Sequence, residues 1–169
     1  MSKNVTVRKA EAGDLSRIVE IYNHYVSNTH ITFDTEPYAV GARTQWFAQF
    51  GDSGRHRLLV AEEAGAVIGY ACSSNFKPRA AYDTSVETSI YLDPANTGQG
   101  HGRMLYCSLL DLLIDEGSIH RAYGGIAMPN DASVALHEQL GFRLVGTYHE
   151  VGYKFDRYWD VGWYEKEMS

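Results

Sequence analysis

The stretch Val86–Gly117 constrains the fold more than any other part of the 169-residue sequence. Its first part, Val86–Leu92, is β-branched and extended in character, which predicts a strand. From Leu105 onward leucines recur at helical spacing, and Gly117 stands where a C-terminal cap belongs. The glycine-rich run Gly98–Arg103 lies between strand and helix. This order presents backbone N–H groups at the positive end of a helix, an arrangement that binds phosphate without any side chain.

Three glycines at alternate positions, Gly98, Gly100 and Gly102, let the main chain approach a bulky anion because no Cβ intervenes. A nucleoside-triphosphate loop would end in Gly-Lys-Ser/Thr, and a dinucleotide fingerprint would need a third glycine where Arg103 stands. Neither pattern matches. The run is therefore a phosphate-binding loop of another kind or a plain turn between strand and helix.

The remaining elements predict an α/β fold. We expect Asp14 to be the N-cap of a helix that begins at Leu15. Further helices are expected at Ala42–Phe50 and Ala132–Leu140, and strands at Val5–Arg8, Leu58–Ala61, Val67–Cys72, Ala122–Ala127, Phe142–Tyr148 and Tyr158–Tyr164. Strands and helices alternate in the middle and antiparallel pairs flank both ends, which predicts a mixed sheet. The length suits one domain over residues 1–169.

Composition excludes several classes of protein. A net charge of −6 argues against a nucleic-acid surface, and no apolar run approaches the ~20 residues that cross a bilayer. The two cysteines, Cys72 and Cys107, fit no metal or disulfide spacing, and nothing resembles a secretory signal. We therefore expect a soluble cytoplasmic protein without a metal, a nucleic-acid partner or a membrane partner.

Two segments resemble the GCN5-related N-acetyltransferases, the GNAT superfamily. Thr97–Gly102 is similar to their pyrophosphate loop, Gln/Arg-x-x-Gly-x-Gly/Ala, although Thr97 stands where the family usually has Gln or Arg. Asn130–Phe142 is similar to their segment Asn-x-x-Ala-x-x-Leu-Tyr-Glu-x-x-Gly-Phe, with His137 at the tyrosine position. The resemblance implies a GNAT fold, a mostly antiparallel sheet flanked by helices, in which the central strand splays from its neighbour to admit the pantetheine arm of acetyl-CoA.

The same resemblance implies which residues hold acetyl-CoA. The backbone of Ile90, Tyr91 and Leu92 would line the pantetheine arm, and Asn130 would hydrogen-bond its amide. Asn130 also has a simpler role as the N-cap of its helix, and one side-chain oxygen cannot fill both roles. The predicted cofactor-binding residues are Ile90, Tyr91, Leu92, Gly98, Gln99, Gly100, His101, Gly102, Arg103 and Asn130.

Further pieces resemble one subgroup, the phosphinothricin and methionine sulfoximine N-acetyltransferases. They are Asn23-His24-Tyr25, Phe33 with Thr35-Glu36-Pro37, Lys77–Tyr82, Val86-Glu87 and Gly152-Tyr153-Lys154. Members of the subgroup acetylate the α-amine of small amino-acid analogues and are commonly homodimers. The resemblance therefore implies an amino-acid acceptor and a homodimer.

Acetyl transfer from a thioester to an amine needs a group that takes the proton of the ammonium, because an ammonium has no lone pair. Glu87 lies mid-strand, where a carboxylate is either solvated or placed inside a cleft. The matching glutamate in the subgroup is the general base. A lone histidine on a helix is usually structural, but the position of His137 in its segment implies an acid, base or thiol-orienting role. The predicted catalytic residues are Glu87 and His137.

The acceptor itself would bring a carboxylate. Lys77 and Arg79 flank Pro78 on the loop before the central strand, and cations there are either solvated or grip an anion. Aromatic side chains, among them Trp163, could form apolar walls or simply pack in the core. The resemblance implies that the acceptor is bound by Phe33, Lys77, Pro78, Arg79, Tyr82, Glu87, Thr88 and Ser89.

The sequence thus predicts an acetyl-CoA-dependent amino-acid N-acetyltransferase in which the amine attacks directly in a ternary complex. Two alternatives remain open. The acceptor could be another amine, such as a polyamine or a protein N-terminus. The chain could also be a regulatory module that binds CoA without turnover, although the presence of both Glu87 and His137 weighs against it.

Overall fold

A computed structural model describes residues 4–168, which form one seven-stranded sheet with the strand order β1-β2-β3-β4-β5-β7-β6. The strands are β1 Val5–Lys9, β2 Leu58–Glu63, β3 Ala66–Asn75, β4 Ser85–Leu92, β5 Arg121–Ala127, β6 Arg143–Lys154 and β7 Arg157–Glu167. The helices are α1 Leu15–Asn28, α2 Thr44–Phe47, α3 His101–Asp115 and α4 Asp131–Gln139. Only β4 and β5 run parallel, so the predicted mixed, mostly antiparallel α/β fold is confirmed.

The sheet buries a core on each face. On one face α3 packs through Leu105, Tyr106 and Leu109, which are fully buried against residues that include Val86 of β4. On the other face α1 packs against β2 and β3, and Tyr91 of β4 lies beside that second core. Because successive strand residues point to opposite faces, Val86 and Thr88 face α3, whereas Glu87 and Ser89 face the α1 side.

The parallel pair opens after three residues. Glu87 and Tyr123 are the last residues of β4 and β5 in register with each other, although β4 runs on to Leu92 and β5 to Ala127. Over the same stretch β4 remains paired with β3 and β5 remains paired with β7. The sheet therefore forks beyond Glu87, which confirms the predicted splayed strand pair.

Asp14 stands at the predicted N-cap position of α1, but its side chain does not cap the helix. Its backbone is helical, at φ −81° and ψ −17°, and its side chain makes no capping hydrogen bond to α1. Its carboxylate instead accepts two hydrogen bonds from the Arg8 guanidinium, at 2.7 and 3.0 Å, and one from the Glu11 N–H at 2.7 Å. An ion pair with β1 has therefore displaced the expected cap, and it holds the pKa of Asp14 below its usual value.

Several boundaries also differ from prediction. The helix expected over Ala42–Phe50 is only the four-residue α2, preceded by a 3₁₀ turn at Val40–Arg43. Strands β6 and β7 are longer than predicted, because a bulge near Gly152 resets their register and a tight turn with positive φ joins their ends. The predicted cap glycine Gly117 is left-handed, at φ +69°, and so is Gly141 after α4, at φ +85°; both conformations are typical of helix ends.

Candidate active site

The fork between β4 and β5 opens into a cleft of about 710 Å³. Its walls are residues 88–92 of β4, residues 125–127 of β5, the glycine loop and one side of α4. Eight of the predicted cofactor-binding residues line it, whereas Gln99 and His101 do not. The eight are Ile90, Tyr91, Leu92, Gly98, Gly100, Gly102, Arg103 and Asn130.

Glycine is needed at the three loop positions for two different structural reasons. Gly98 and Gly100 are left-handed, at φ +72° and +84°, and a Cβ built on either would meet nothing within 4 Å. Their backbone is therefore open to the cleft. Gly102 is buried inside the first turn of α3, where a Cβ would lie 3.3 Å from Cδ1 of Leu92. That glycine serves the contact between helix and strand.

The start of α3 suits an anion. The helix begins at His101, directly after the left-handed Gly100, so its free N–H groups face the loop. Nδ1 of His101 is buried and has no hydrogen-bond partner within residues 4–168. Arg103 is exposed and lines the cleft. These features fit the pyrophosphate of a CoA thioester.

Two polar side chains near the cleft are already engaged. The Thr97 hydroxyl donates to the Pro94 carbonyl at 3.1 Å, so it does not stand in for the Gln or Arg of the family loop. Oδ1 of Asn130 accepts from the Ser133 N–H at 3.2 Å, which makes Asn130 the N-cap of α4. The amide NH₂ of Asn130 remains as the donor available to a cofactor amide.

Sequence reasoning assigned no role to Tyr25, which also lines the cleft. Its hydroxyl donates to the Leu92 carbonyl at 2.6 Å and so ties α1 to the end of β4. The only signal in the sequence was the run Asn23-His24-Tyr25, which marked the subgroup without indicating a contact.

Glu87 lies at the fork, on the face opposite Thr88, and its side chain is partly buried. Within the described chain, 4–168, no side chain pairs with its carboxylate. Burial raises the pKa of Glu87, and the nearby Lys77 ammonium opposes that rise only in part. A carboxylate with a raised pKa is a better proton acceptor near neutral pH. The arrangement can therefore take a proton from a group bound at the fork.

His137 is 4% exposed on α4, and both ring nitrogens are engaged. Nδ1 lies 2.8 Å from the Ser133 carbonyl, and Nε2 lies 3.1 Å from the Tyr106 hydroxyl. A Cβ on Gly124 would lie 2.7 Å from Nε2, so glycine is needed there to seat the ring. Burial lowers the pKa of His137, and the ring is therefore neutral at neutral pH. A neutral ring of this kind does not favour the predicted role as an acid.

The predicted acceptor residues lie outside the cleft except for Thr88 and Ser89. Thr88 is 3% exposed with its hydroxyl bound to Tyr106, so only its backbone could meet an acceptor. The loop before β4 is exposed, and Lys77 lies over the rings of Phe76 and Trp163 at 5.1 and 6.0 Å from their centroids. This exposed loop contains Lys77, Pro78, Arg79 and Tyr82.

Phe33 belongs to the segment between α1 and α2, and its ring packs against the β6–β7 hairpin. Its ring is so close to the Gly152 backbone that a Cβ there would lie 2.4 Å from ring atoms. The neighbouring Thr32 carbonyl accepts a hydrogen bond from the buried Lys154 Nζ at 2.8 Å. The hairpin therefore holds the segment between α1 and α2 in place.

This arrangement of cleft, glycine loop and Glu87 is the one expected of an acyl-CoA-dependent transferase, and comparison with known proteins gives the same class. A family model described as an acetyltransferase (GNAT) domain matches residues 7–163. The chain belongs to the GNAT acetyltransferases, enzymes whose co-substrate is acetyl-CoA. The family expected from the sequence is thus confirmed.

Individual relatives are similar over almost their whole length. The chain is 50% identical to a phosphinothricin N-acetyltransferase of Streptomyces coelicolor, over 97% of this chain and 96% of the relative. It is 34% identical to an L-methionine sulfoximine/L-methionine sulfone acetyltransferase of Salmonella typhimurium, over 98% and 95%. A solved acetyltransferase from Salmonella typhimurium with acetyl-CoA superposes with a TM-score of 0.92 at 33% identity, covering 98% and 95%.

Two further properties of the described residues, 4–168, concern metals and membranes. They contain no group of three or more His, Cys, Asp or Glu side chains that could hold a metal ion. None of their helices is long and apolar enough to cross a membrane.

Proposed function

We propose that this protein, acting as one domain over residues 1–169, transfers the acetyl group of acetyl-CoA to the α-amine of a small amino acid or analogue. The acceptor is of the phosphinothricin, methionine sulfoximine or methionine sulfone type. The observation that carries the proposal is the desolvated, unpaired carboxylate of Glu87 at the strand fork. The relatives named for those acceptors support the choice of substrate. Dependence on acetyl-CoA, a cytoplasmic metabolite, supports a cytoplasmic location.

The proposed acetyl transfer uses acetyl-CoA in the cleft and charged side chains at the fork and on the loop before β4. Acetyl-CoA supplies the acetyl group as an activated thioester. An α-amine has a pKa near ~8 in peptides and is mostly protonated at neutral pH, so it cannot attack unaided. Glu87 takes the ammonium proton, and the amine then attacks the thioester carbonyl directly in the ternary complex. The C–S bond breaks, and the departing CoA thiolate takes up the proton that the new amide nitrogen loses. Lys77 and Arg79 give the acceptor carboxylate a cationic loop, with Arg79 able to bind it bidentately.

Charge argues against the two alternatives. A polyamine carries only positive groups and would need an acidic groove, whereas the loop before β4 offers Lys77 and Arg79. A module that merely binds CoA has no use for a buried, unpaired carboxylate, which costs folding free energy when it is ionised. Glu87 therefore favours catalysis, and its cationic neighbours favour an acceptor with a carboxylate.

A panel of acceptors tests this proposal. We expect kcat/KM for L-phosphinothricin, L-methionine sulfoximine and L-methionine sulfone to exceed that for spermidine and for an alanine-terminated peptide by at least about 10²-fold. A site built for a carboxylate loses a partner when the acceptor lacks one. CoA release with each acceptor is the measurement. A preference for spermidine or the peptide, or binding of acetyl-CoA without turnover, would contradict the proposal.

We also propose that the enzyme is a homodimer formed through its β6–β7 hairpin. Seven apolar side chains there are 52–60% exposed, namely Leu144, Val145, Tyr148, Val151, Tyr153, Phe155 and Tyr158. Such a concentration on one hairpin is typical of an interface. A second copy can cover it symmetrically because a twofold interface pairs a patch with itself.

Sedimentation of single variants tests the dimer. Val151→Lys should shift the protein from dimer to monomer, since it places a charge in the covered patch. Val40→Lys is the matched control, because Val40 is also an exposed valine, at 41%, but lies outside the hairpin. That variant should sediment like the wild type. A monomeric wild type would contradict the dimer. A dimeric Val151→Lys would show that the interface lies elsewhere.

A further inference from the structure

A continuous row of polar contacts runs from the strand fork to α4, and no sequence motif predicted it. The Thr88 hydroxyl donates to the Tyr123 carbonyl at 3.1 Å and lies 2.6 Å from the Tyr106 hydroxyl. The Tyr106 hydroxyl lies 3.1 Å from Nε2 of His137, whose Nδ1 lies 2.8 Å from the Ser133 carbonyl. The three side chains in the middle are 0–4% exposed. This row of hydrogen bonds is thus shielded from water.

These hydrogen-bonded side chains lie beside the proposed reaction site. Tyr123 is the last residue of β5 in register with β4, and Thr88 is the first residue of β4 beyond the fork. Thr88, Ser133 and His137 all line the cleft, whereas Tyr106 lies behind them on α3. Among residues 4–168, Tyr106 is therefore the only side chain that joins the imidazole to the fork.

The number of protons on these side chains determines which of the hydrogen bonds can form at the same time. A carbonyl can only accept, so Nδ1 of His137 carries the ring proton that faces Ser133. The imidazole, the phenol and the threonine hydroxyl then supply three protons to four contacts. A fourth proton on Nε2 would complete every contact, with Tyr106 donating to Thr88 and Thr88 donating to the Tyr123 carbonyl. Burial of the ring opposes that charge.

Of the groups around the imidazole, Tyr106 is the one that most affects its protonation. Phe142 packs against the ring with centroids 5.0 Å apart, and Tyr164 of β7 lies at 6.1 Å. Gly124 offers β5 backbone without a side chain. Tyr106 and Tyr164 are the titratable side chains in contact with the ring, and only Tyr106 hydrogen-bonds to it.

We propose that Tyr106 is a positioning residue for His137: with Thr88 it forms a reversible hydrogen-bond relay that lets Nε2 take up and give back a proton beside the fork. The inference rests on the proposed acetyltransferase reaction only for the use of that proton. The relay itself is a property of the protein without substrates. It accounts for a buried tyrosine and a buried threonine whose hydroxyls meet inside the α3 core.

Titration of the His137 imidazole by ¹H–¹⁵N NMR tests the relay, with the signal assigned by its loss in His137→Gln. The Tyr106 hydroxyl stabilises the imidazolium more than the neutral ring, because charge-assisted hydrogen bonds are stronger. Tyr106→Phe should therefore weaken the proton affinity of Nε2 about tenfold, so the pKa of His137 falls further. We expect kcat to fall about tenfold with the KM for acetyl-CoA unchanged.

The matched control is Tyr164→Phe, which removes the hydroxyl of another tyrosine that packs near the ring but no hydrogen bond to the ring; the pKa of His137 and kcat should both stay at wild-type values. Thr88→Val should shift the pKa of His137 in the same direction as Tyr106→Phe, and it provides a second readout should that variant fold poorly. An imidazole pKa unaffected by the loss of either hydroxyl overturns the relay, as does a wild-type ring that never titrates before the protein unfolds. The titration uses no acceptor, so it stands or fails separately from the acceptor panel.

Discussion

Replacing Glu87 by glutamine should lower kcat near neutral pH by about 10²–10⁴-fold, the range that general-base help typically contributes. Glutamine keeps the shape of the side chain but cannot take the ammonium proton. Raising the pH deprotonates more acceptor in solution, so the variant should recover part of its rate while the wild type levels off. The measurement is kcat against pH for both proteins at saturating acetyl-CoA. Two parallel profiles with undiminished kcat in the variant would end the general-base assignment.

Stability separates this catalytic role from a structural one. The pKa of Glu87 is raised in the folded protein, so its ionised form costs folding free energy once the pH exceeds the unfolded pKa, near ~4.3. Glu87→Gln should therefore be at least as stable as the wild type at pH 7, and the difference should vanish below pH ~4. The matched control is Glu165→Gln on β7, a carboxylate that pairs with Arg143. That control should keep its kcat and lose a little stability.

A side chain at Gly100 should raise the KM for acetyl-CoA by about tenfold to a hundredfold, equivalent to the loss of one or two hydrogen bonds to a charged group. Gly100→Asn is the sharpest variant, because asparagine tolerates a φ of +84°, whereas valine would strain the backbone. The asparagine side chain would stand between the loop amides and the pyrophosphate. The acceptor KM should stay unchanged.

The matched control for the loop is Gly65→Asn. Gly65 has a φ of +83°, and a Cβ there also meets nothing within 4 Å, but the residue belongs to the β2–β3 turn. Calorimetric titration with CoA gives the affinity of each protein directly. A folded Gly100→Asn that binds CoA as tightly as Gly65→Asn would show that the loop does not hold the pyrophosphate.

The sequence predicted features whose signals are local. Left-handed glycines at helix ends and the β-branched run before the glycine loop determine structure over a few residues, and each was assigned correctly. The relay could not be predicted in this way. Its contacts join Thr88 to Tyr106 and Tyr106 to His137, residues 18 and 31 positions apart, and no periodicity links them.

Tertiary contacts also gave some residues roles that no local pattern showed. Asp14 stands where an N-cap belongs, yet the Arg8 guanidinium takes its carboxylate. Gly102 reads as the third glycine of a phosphate loop, yet its missing Cβ makes room for Leu92. Tyr25 reads as a helix residue, yet its hydroxyl reaches a carbonyl 67 positions along the chain. Each case depends on which element packs nearby, and that is settled only by the whole fold.

The fork also bears on how such an enzyme can change its substrate. Residues of β4 and the glycine loop form one wall of the cleft. Contacts that the proposed donor makes with their backbone groups survive most exchanges of side chain. The acceptor is left to side chains such as Glu87 and the exposed loop before it. In the proposed complex, main chain binds the acetyl donor and side chains bind the acceptor, so mutation can explore new amines while the donor remains bound. We therefore expect directed evolution of this scaffold to alter the acceptor readily and the acetyl donor rarely.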